Sequence, residues 1–400
     1  MSTPGFRFHA GTRIGRRGPA APGRRRTVLI PHPHEGKRKL ILRCWYSLGD
    51  ITLLTAAVRD LHLGHRGQFL TDVRTPFDDL WLHNPHLIPL RDQEAEVIEC
   101  DHALLEESNC APHHAIHSFT EHLGRKLGIR ITSQVFKGDI HLHPVERLWT
   151  PQVSEQIGAD IPYWIIAAGG KRDITIKWWS TERWQAVVDH FRGRIFFVQA
   201  GAKGDHHLPL RGVLDLRGRT NIRQLIRLVH HSNGVLCPVT SLMHLAAAVP
   251  VRDGRPPHRP CVVVAGGREP TQWEAYPHHQ FLHTLGALRC CDNGGCWKAR
   301  TVPLGDGDPR DSSLCLDVVH TGKKSRSLQR RTASEFGIQN SESKIPSALP
   351  RCMAMITPAD VIRAIERYHE AGATSWLRCT QWNLATPHLT TTQSISNTQP

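Results

Sequence analysis

Short apolar runs alternate with helical stretches along most of this chain, and that alternation restricts the fold more than any other feature. KLILRCWY (39–46), GQFLTDV (around 68–73) and AEVIEC (95–100) read as strands. Between and after them, ITLLTAAVRDLH and residues 111–129 have helical spacing, and PFDDLWLHNP reads as a short helix closed by Asn84 and Pro85. After a loop near 145–160 the pattern restarts. YWIIAAGG (163–170), RIFFVQAG (194–201), GVLDLRG (212–218), GVLCP (234–238) and CVVVAGG (261–267) are strands. TERWQAVVDHF, NIRQLIRLVHHS and SLMHLAAAV are helices, the first N-capped by Ser180 or Thr181. Strands that alternate with helices form parallel sheets covered on both faces. The expected fold class is α/β, in two doubly wound halves, with ligands outside the carboxyl ends of the strands.

Four hundred residues are enough for two such domains, and 40% hydrophobic with 22% charged residues is a globular composition. No apolar run reaches the roughly 20 residues that span a bilayer. The N-terminus has arginines but no apolar core, so no secretory signal is expected and the cytoplasm is the expected location. The formal charge of +14 is unevenly placed: ten Lys and Arg face one acid in residues 1–40, seven face two acids in 321–351, and the remainder balances. A nucleic-acid groove needs its positive charge concentrated on a folded face, so nucleic acid is not an expected partner. The basic arm could instead rest on an anionic membrane surface.

The expected organisation is a disordered basic arm (1–37), an acceptor-side Rossmann-like domain (38–150) and a nucleotide-binding Rossmann-like domain with a Cys-rich cap (151–320). A flexible insertion (321–350), a helix (351–373) N-capped by Thr357 with Pro358 following, and a disordered tail (374–400) complete it. Eleven cysteines without an export signal imply a reducing compartment and free or metal-bound thiols. Cys44, Cys237 and Cys261 lie in apparent core strands, where Cys packs as a small hydrophobe.

Three strand-to-helix junctions carry polar residues. In SLGDITLLTAAV, Gly49 permits a tight turn and Asp50 begins a helix, as a cap or as a catalytic acid. In AAGGKRDITIKWWSTERW, Gly169 and Gly170 allow close backbone approach, and Lys171 and Lys177 could grip a phosphate. In GVLCPVTSLMHLAAAVP, Thr240 and Ser241 stand at a helix N-terminus suited to a diphosphate, with His244 as a ligand contact or a core histidine. Arg268 and Glu269 in GGREPTQWEAYP could contact sugar or phosphate, or belong to a packed loop.

In order along residues 38–300, GDITLLTAAV, KWWSTERWQAVV and SLMHLAAAV resemble the motifs of bacterial glycosyltransferase family 9, the ADP-heptose heptosyltransferases of lipopolysaccharide assembly. The resemblance implies a GT-B architecture, two Rossmann-like domains facing each other across a cleft. It implies inverting sugar transfer from a nucleotide donor, without a catalytic metal, to a glycan, lipid-linked or protein hydroxyl. By position, Asp50 would be the general base, Lys177 would neutralise the departing diphosphate with help from Thr240 and Ser241, and Asp215 would contact the nucleoside. The family's acid before the Thr is Val239 here, which leaves donor identity open and admits an alternative, a catalytically silent nucleotide-sugar-binding relative. The resemblance also suggests peripheral contact with an inner membrane and leaves a homo-oligomer open.

RCCDNGGCWKAR places Cys290 and Cys291 before Cys296, with Cys315 and Cys352 further on. Four such thiols can make a tetrahedral site. The autotransporter heptosyltransferase branch of the family is similar in carrying a four-cysteine iron site. Cys291, Cys296, Cys315 and Cys352 are therefore candidates for a structural iron or zinc, with unpaired reduced thiols as the other reading.

Overall fold

The computed structural model describes residues 36–320 and 348–390, so the basic arm before Gly36, residues 321–347 of the insertion and the last ten residues lie outside the described residues. The chain divides into two compact units. One holds the residues up to Glu106 and Ala115–His141; the other holds Glu107–His114 and Leu142 onward. The boundary thus falls before the expected residue 150, and a short excursion at 107–114 packs with the second unit, where Asn109 bonds to Gly295 and Trp297.

The first unit is built on three parallel strands in the order β2-β1-β3: β1 (Arg38–Arg43), β2 (Phe69–Arg74) and β3 (Glu96–Glu99). Helix α1 (Leu48–Gly64) follows β1 and α2 (Ala115–Leu127) packs against it. From Ile51 to Leu61 every residue of α1 is buried; the polar ones are paired, Thr52 and Thr55 back to helix carbonyls and Arg59 to Asp60 at 2.9 Å. The stretch 76–85 forms only a single 3-10 turn, Asp78–Trp81.

The second unit carries six parallel strands: β4 (Tyr163–Ile166), β5 (Phe196–Gln199), β6 (Leu214–Asp215), β7 (Gly234–Pro238), β8 (Cys261–Gly266) and β9 (His279–His283). They lie in the order β9-β8-β7-β4-β5-β6, all pairs parallel. Numbered within the unit, this is the 3-2-1-4-5-6 order of doubly wound nucleotide-binding sheets. Strand order reverses between β4 and β7, so the crevice beyond the ends of those two strands is where such a sheet receives a ligand.

Helices α3 (Thr181–His190), α4 (Ile222–His231) and α5 (Ser241–Ala248) connect these strands. α6 (Arg351–Met355) and α7 (Pro358–Glu370) return to the sheet. Thr357 caps α7, accepting from the Asp360 N–H, as the Thr-Pro pair predicts. Trp164, Trp184, Phe191, Phe197, Val262, Val264 and Ile365 meet in one core cluster, and each such side chain fully buried stabilises the fold by about 1.5–3 kcal/mol. Among the described residues no helix is long and apolar enough to cross a membrane.

Two expected irregular segments are ordered in part. Residues 348–350 of the insertion pair antiparallel with Val318–His320. Residues 374–390, expected as disordered tail, instead include α8 (Cys379–Ala385) and a 3-10 turn, Thr386–His388. Trp376 stacks on His369 and Phe191, and Thr390 bonds to the backbone of Leu210, Gly212 and Val213. A tail rich in Thr, Ser and Gln looks soluble in sequence, yet its Trp376 finds an aromatic seat.

Gly234 opens β7 where a Cβ atom would lie 2.4 Å from the Trp164 ring. Gly234→Ala is expected to lower unfolding free energy by about 1–3 kcal/mol through overpacking, read as a lower urea midpoint. An unchanged midpoint would contradict this packing.

Candidate active site

In the first unit, Asp50 occupies the third position of α1, and its carboxylate turns back onto the cap. Oδ2 accepts from the Ser47 backbone N–H at 3.0 Å and from the Ser47 hydroxyl at 2.7 Å, completing a capping box. Oδ1 meets His102 Nε2 at 3.0 Å. The side chain keeps 24% of its surface exposed, so it is anchored and still reachable. Capping and catalysis, opposed as alternatives in the sequence, are compatible here. His102 was not among the sequence candidates. It follows β3, beside β1, and strands adjacent in a parallel sheet deliver the residues after their carboxyl ends to one place.

The second unit places Lys177 at the switch point. Its loop is held by residues far along the chain: Ile176 N–H donates to Ala299 O, Thr175 bonds with Thr301, and Arg300 Nε donates to Asp173 O. The Arg300 side chain is wholly buried and pairs with Asp306 at 2.8 Å and Asp311 at 2.6 Å, so the lobe after β9 acts as a brace for this loop. Lys177 Nζ donates to Val239 O at 3.3 Å and pairs with Glu269 Oε1 at 2.5 Å. Arg268 also pairs with Glu269, donates to Lys298 O and lies over the Trp297 ring. Burial pushes the Glu269 carboxyl up, but the Arg268 and Lys177 charges outweigh it and hold the group below its usual range. Thus the GREP segment, which reads equally as a packed loop in sequence, supplies the acid and one of the two cations at this point. The signal that would have found it is again the strand end: β8 neighbours β7, whose end leads to Thr240 and Ser241.

The remaining candidates separate. Thr240 is the N-cap residue of α5, and its Oγ1 is buried without a hydrogen bond among the described residues; Ser241 is the first helical residue. His244 is buried in the core, bonded through Nδ1 to Tyr276 Oη at 2.9 Å and set against Glu274, so its satisfied-core reading describes it. Asp215 ends β6 with both oxygens on the Arg217 guanidinium, at 2.8 and 2.7 Å. Gly169 permits a close approach, but by the chain itself: a Cβ there would lie 1.9 Å from His206 O, where 169–170 pair antiparallel with 206–207. Gly170 faces Trp178 at ordinary contact distance. A cavity of about 550 Å³ near Arg147, Trp149, His231 and Arg252 precedes β4 and β7 and contains none of these residues.

All eleven cysteines are free. Cys291 and Cys352 flank Gly266 and Gly267, and Cys296 N–H donates to Gly267 O. Burial raises the Cys296 and Cys315 thiols and pushes Cys352 up to about 12, with neighbouring thiols adding to each shift. Among the described residues, however, no group of three or more His, Cys, Asp or Glu is arranged to hold a metal ion.

The fold is similar to that of glycosyltransferases of the GT-B type. More particularly, residues 113–280 match glycosyltransferase family 9 (heptosyltransferase), a span that holds KWWSTERWQAVV and SLMHLAAAV but not GDITLLTAAV. Solved structures share the fold. The family 9 glycosyl transferase from Veillonella parvula DSM 2008 is 14% identical with a TM-score of 0.51, covering 83% of this chain and 97% of that one. The ADP-heptose lps heptosyltransferase II of E. coli is 12% identical with a TM-score of 0.52, covering 84% and 99%. The iron-containing dodecameric glycosyltransferase TibC from enterotoxigenic E. coli H10407 is 16% identical with a TM-score of 0.53, covering 84% and 76%. No curated protein matches the chain.

A depressed carboxyl stabilises the fold above its unfolded value, here near 4.5, and that stability is lost as pH falls through the folded value. Wild-type protein should therefore lose unfolding free energy on acidification below about pH 4.5. Glu269→Gln should be less stable at neutral pH and show a shallower acid slope in denaturant titrations. Parallel slopes would remove Glu269 from the linkage.

Proposed function

We propose that this protein is an inverting glycosyltransferase that moves a heptose from an ADP-heptose-like donor to a hydroxyl of a glycan, lipid-linked or protein acceptor. The observation that carries the reading is Lys177 at the switch point of a 3-2-1-4-5-6 sheet, beside the first turn of α5. A TibC structure is described in complex with ADP-D-beta-D-heptose, which supports the donor class.

In this reading the Asp50 carboxylate takes the proton of the acceptor hydroxyl as the acceptor oxygen bonds to the anomeric carbon. The bond from that carbon to the diphosphate breaks on the opposite face, and the nucleoside diphosphate leaves. Lys177, Arg268 and the N–H groups opening α5 meet its charge. Glu269 supplies from the neighbouring strand end the carboxylate that Val239 does not, aligning both cations before the donor arrives. Preorganised charge of this kind needs no rearrangement when the leaving group develops its own.

The donor chemistry of Cys291, Cys296, Cys315 and Cys352 suits a thiophilic structural metal, which would bind them as thiolates. Such a metal would tie α6 to the end of β8. Metal analysis of purified protein should find about one iron or zinc per chain, lost together with thermal stability in Cys291→Ser; metal-free wild type of equal stability would refute the site.

Thermal unfolding with ADP-heptose tests the donor site. A ligand at 100 times its Kd adds about 2.7 kcal/mol of stability, and Lys177→Ala should lose most of the shift. Asp50→Asn should keep the shift and abolish transfer. Equal shifts in wild type and Lys177→Ala would overturn the donor assignment; donor binding without turnover in wild type would favour the silent relative.

A further inference from the structure

Residues 44–47 and 99–102 place a second polar group against Asp50. The His102 side chain is 5% exposed and packs its ring against Phe119 of α2 and Tyr46, with centroids 4.3 and 5.5 Å away. Its Nε2 stands 3.0 Å from Asp50 Oδ1. An ionised carboxylate only accepts, so the ring carries a hydrogen on Nε2 and donates it. The backbone of His102 is itself pinned: its N–H donates to Asp101 Oδ1 at 2.7 Å, and Tyr46 Oη donates to the same oxygen at 2.5 Å. Burial raises the Asp101 carboxyl, but these two hydrogen bonds outweigh it and keep the group ionised.

We propose that His102 is a positioning residue for the transfer reaction, fixing the Asp50 carboxylate in direction through Nε2–H. The proposal rests on the reading of Asp50 as general base. Ser47 holds Oδ2 on the cap side, and His102 holds Oδ1 on the β3 side. Together they leave the carboxylate little rotation, so the part of the side chain that stays exposed has a set direction in which to meet an acceptor hydroxyl. A base held within hydrogen-bond reach in a set direction is what proton abstraction at an acceptor oxygen requires. Other titratable groups face this pair from each packed element: Cys44 and Tyr46 after β1, Glu99, Cys100 and Asp101 from the end of β3, and His122 of α2. Burial raises the Cys44 and Cys100 thiols, which stay neutral. Asp101 stays ionised, and burial lowers the His122 ring, keeping it neutral near pH 7.

The test uses the full chain with ADP-heptose as donor and water as acceptor, following ADP release across pH. His102→Phe keeps an aromatic ring against Phe119 and removes the donor, whereas His102→Gln retains an N–H that can reach Oδ1. Loss of a hydrogen bond to a charged acceptor lowers kcat by roughly 10- to 100-fold. His102→Phe should show that loss with donor KM unchanged, and the acid limb of its pH profile should move to higher pH, since the charged form of Asp50 has lost a donor. His102→Gln should recover most of the rate and the original limb. Full activity in His102→Phe, with Asp50→Asn inactive, would overturn the proposal and leave the base reading intact. Equal slowing in both His102 variants with an unmoved limb would mark a packing role and also overturn it. ADP release at one rate in wild type and Asp50→Asn would overturn the base reading, and this proposal with it.

Discussion

Glu269, a carboxylate with 1% of its side chain exposed, is the group around which the second unit's candidate site is assembled. A buried charge without partners costs several kcal/mol, so its presence obliges Lys177 and Arg268 to stay where they are. Those two cations arrive by different routes. Arg268 comes on the same loop and is steadied by Trp297 and the Lys298 carbonyl. Lys177 comes on the loop after β4, which is braced by Arg300 and its aspartates. The long lobe after β9 therefore has a part in the site although it contributes no group to the switch point. It sets where a lysine 120 or so positions earlier in the chain can stand.

The strand–helix alternation made the fold class legible in residues 163–267, because β4, β7 and β8 are apolar runs, the pattern that parallel strands buried on both faces require. Asp50, Lys177, Thr240 and Ser241 could be singled out as candidates because each lies in a strand-to-helix junction, at or before a helix start. Glu269 and His102 lie beyond strand ends too, but in loops that lead to no long helix directly, so local pattern leaves Glu269 open between a ligand contact and a packed loop and gives His102 no mark. Their roles appear only once the strand order is known and the ends of β8 and β3 are seen beside those of β7 and β1.

Other readings failed for a different reason. Gly169 has the look of a phosphate-loop glycine, and a glycine is needed there, but the group that approaches is the carbonyl of His206. His244 stands in a family-like motif and is consumed by Tyr276 and Glu274. In both cases the sequence carries the residue type correctly and says nothing of which neighbour uses it. Non-local packing decides that. The ordered part of the C-terminal segment is the same lesson, since one aromatic anchor and one threonine outweigh a polar composition.

That C-terminal segment has a colloidal consequence. β6 is the outermost strand of the six, two residues long, and the backbone just before it is occupied by Thr390. An open sheet edge invites another chain to add a strand, and proteins blunt such edges by keeping them short or covering them. Here both devices act on the same edge. A chain nicked between α7 and α8 would keep its core and its switch point, but it would bare a row of unpaired amides and carbonyls beside Val213. The tail thus protects the molecule from its own copies at high concentration.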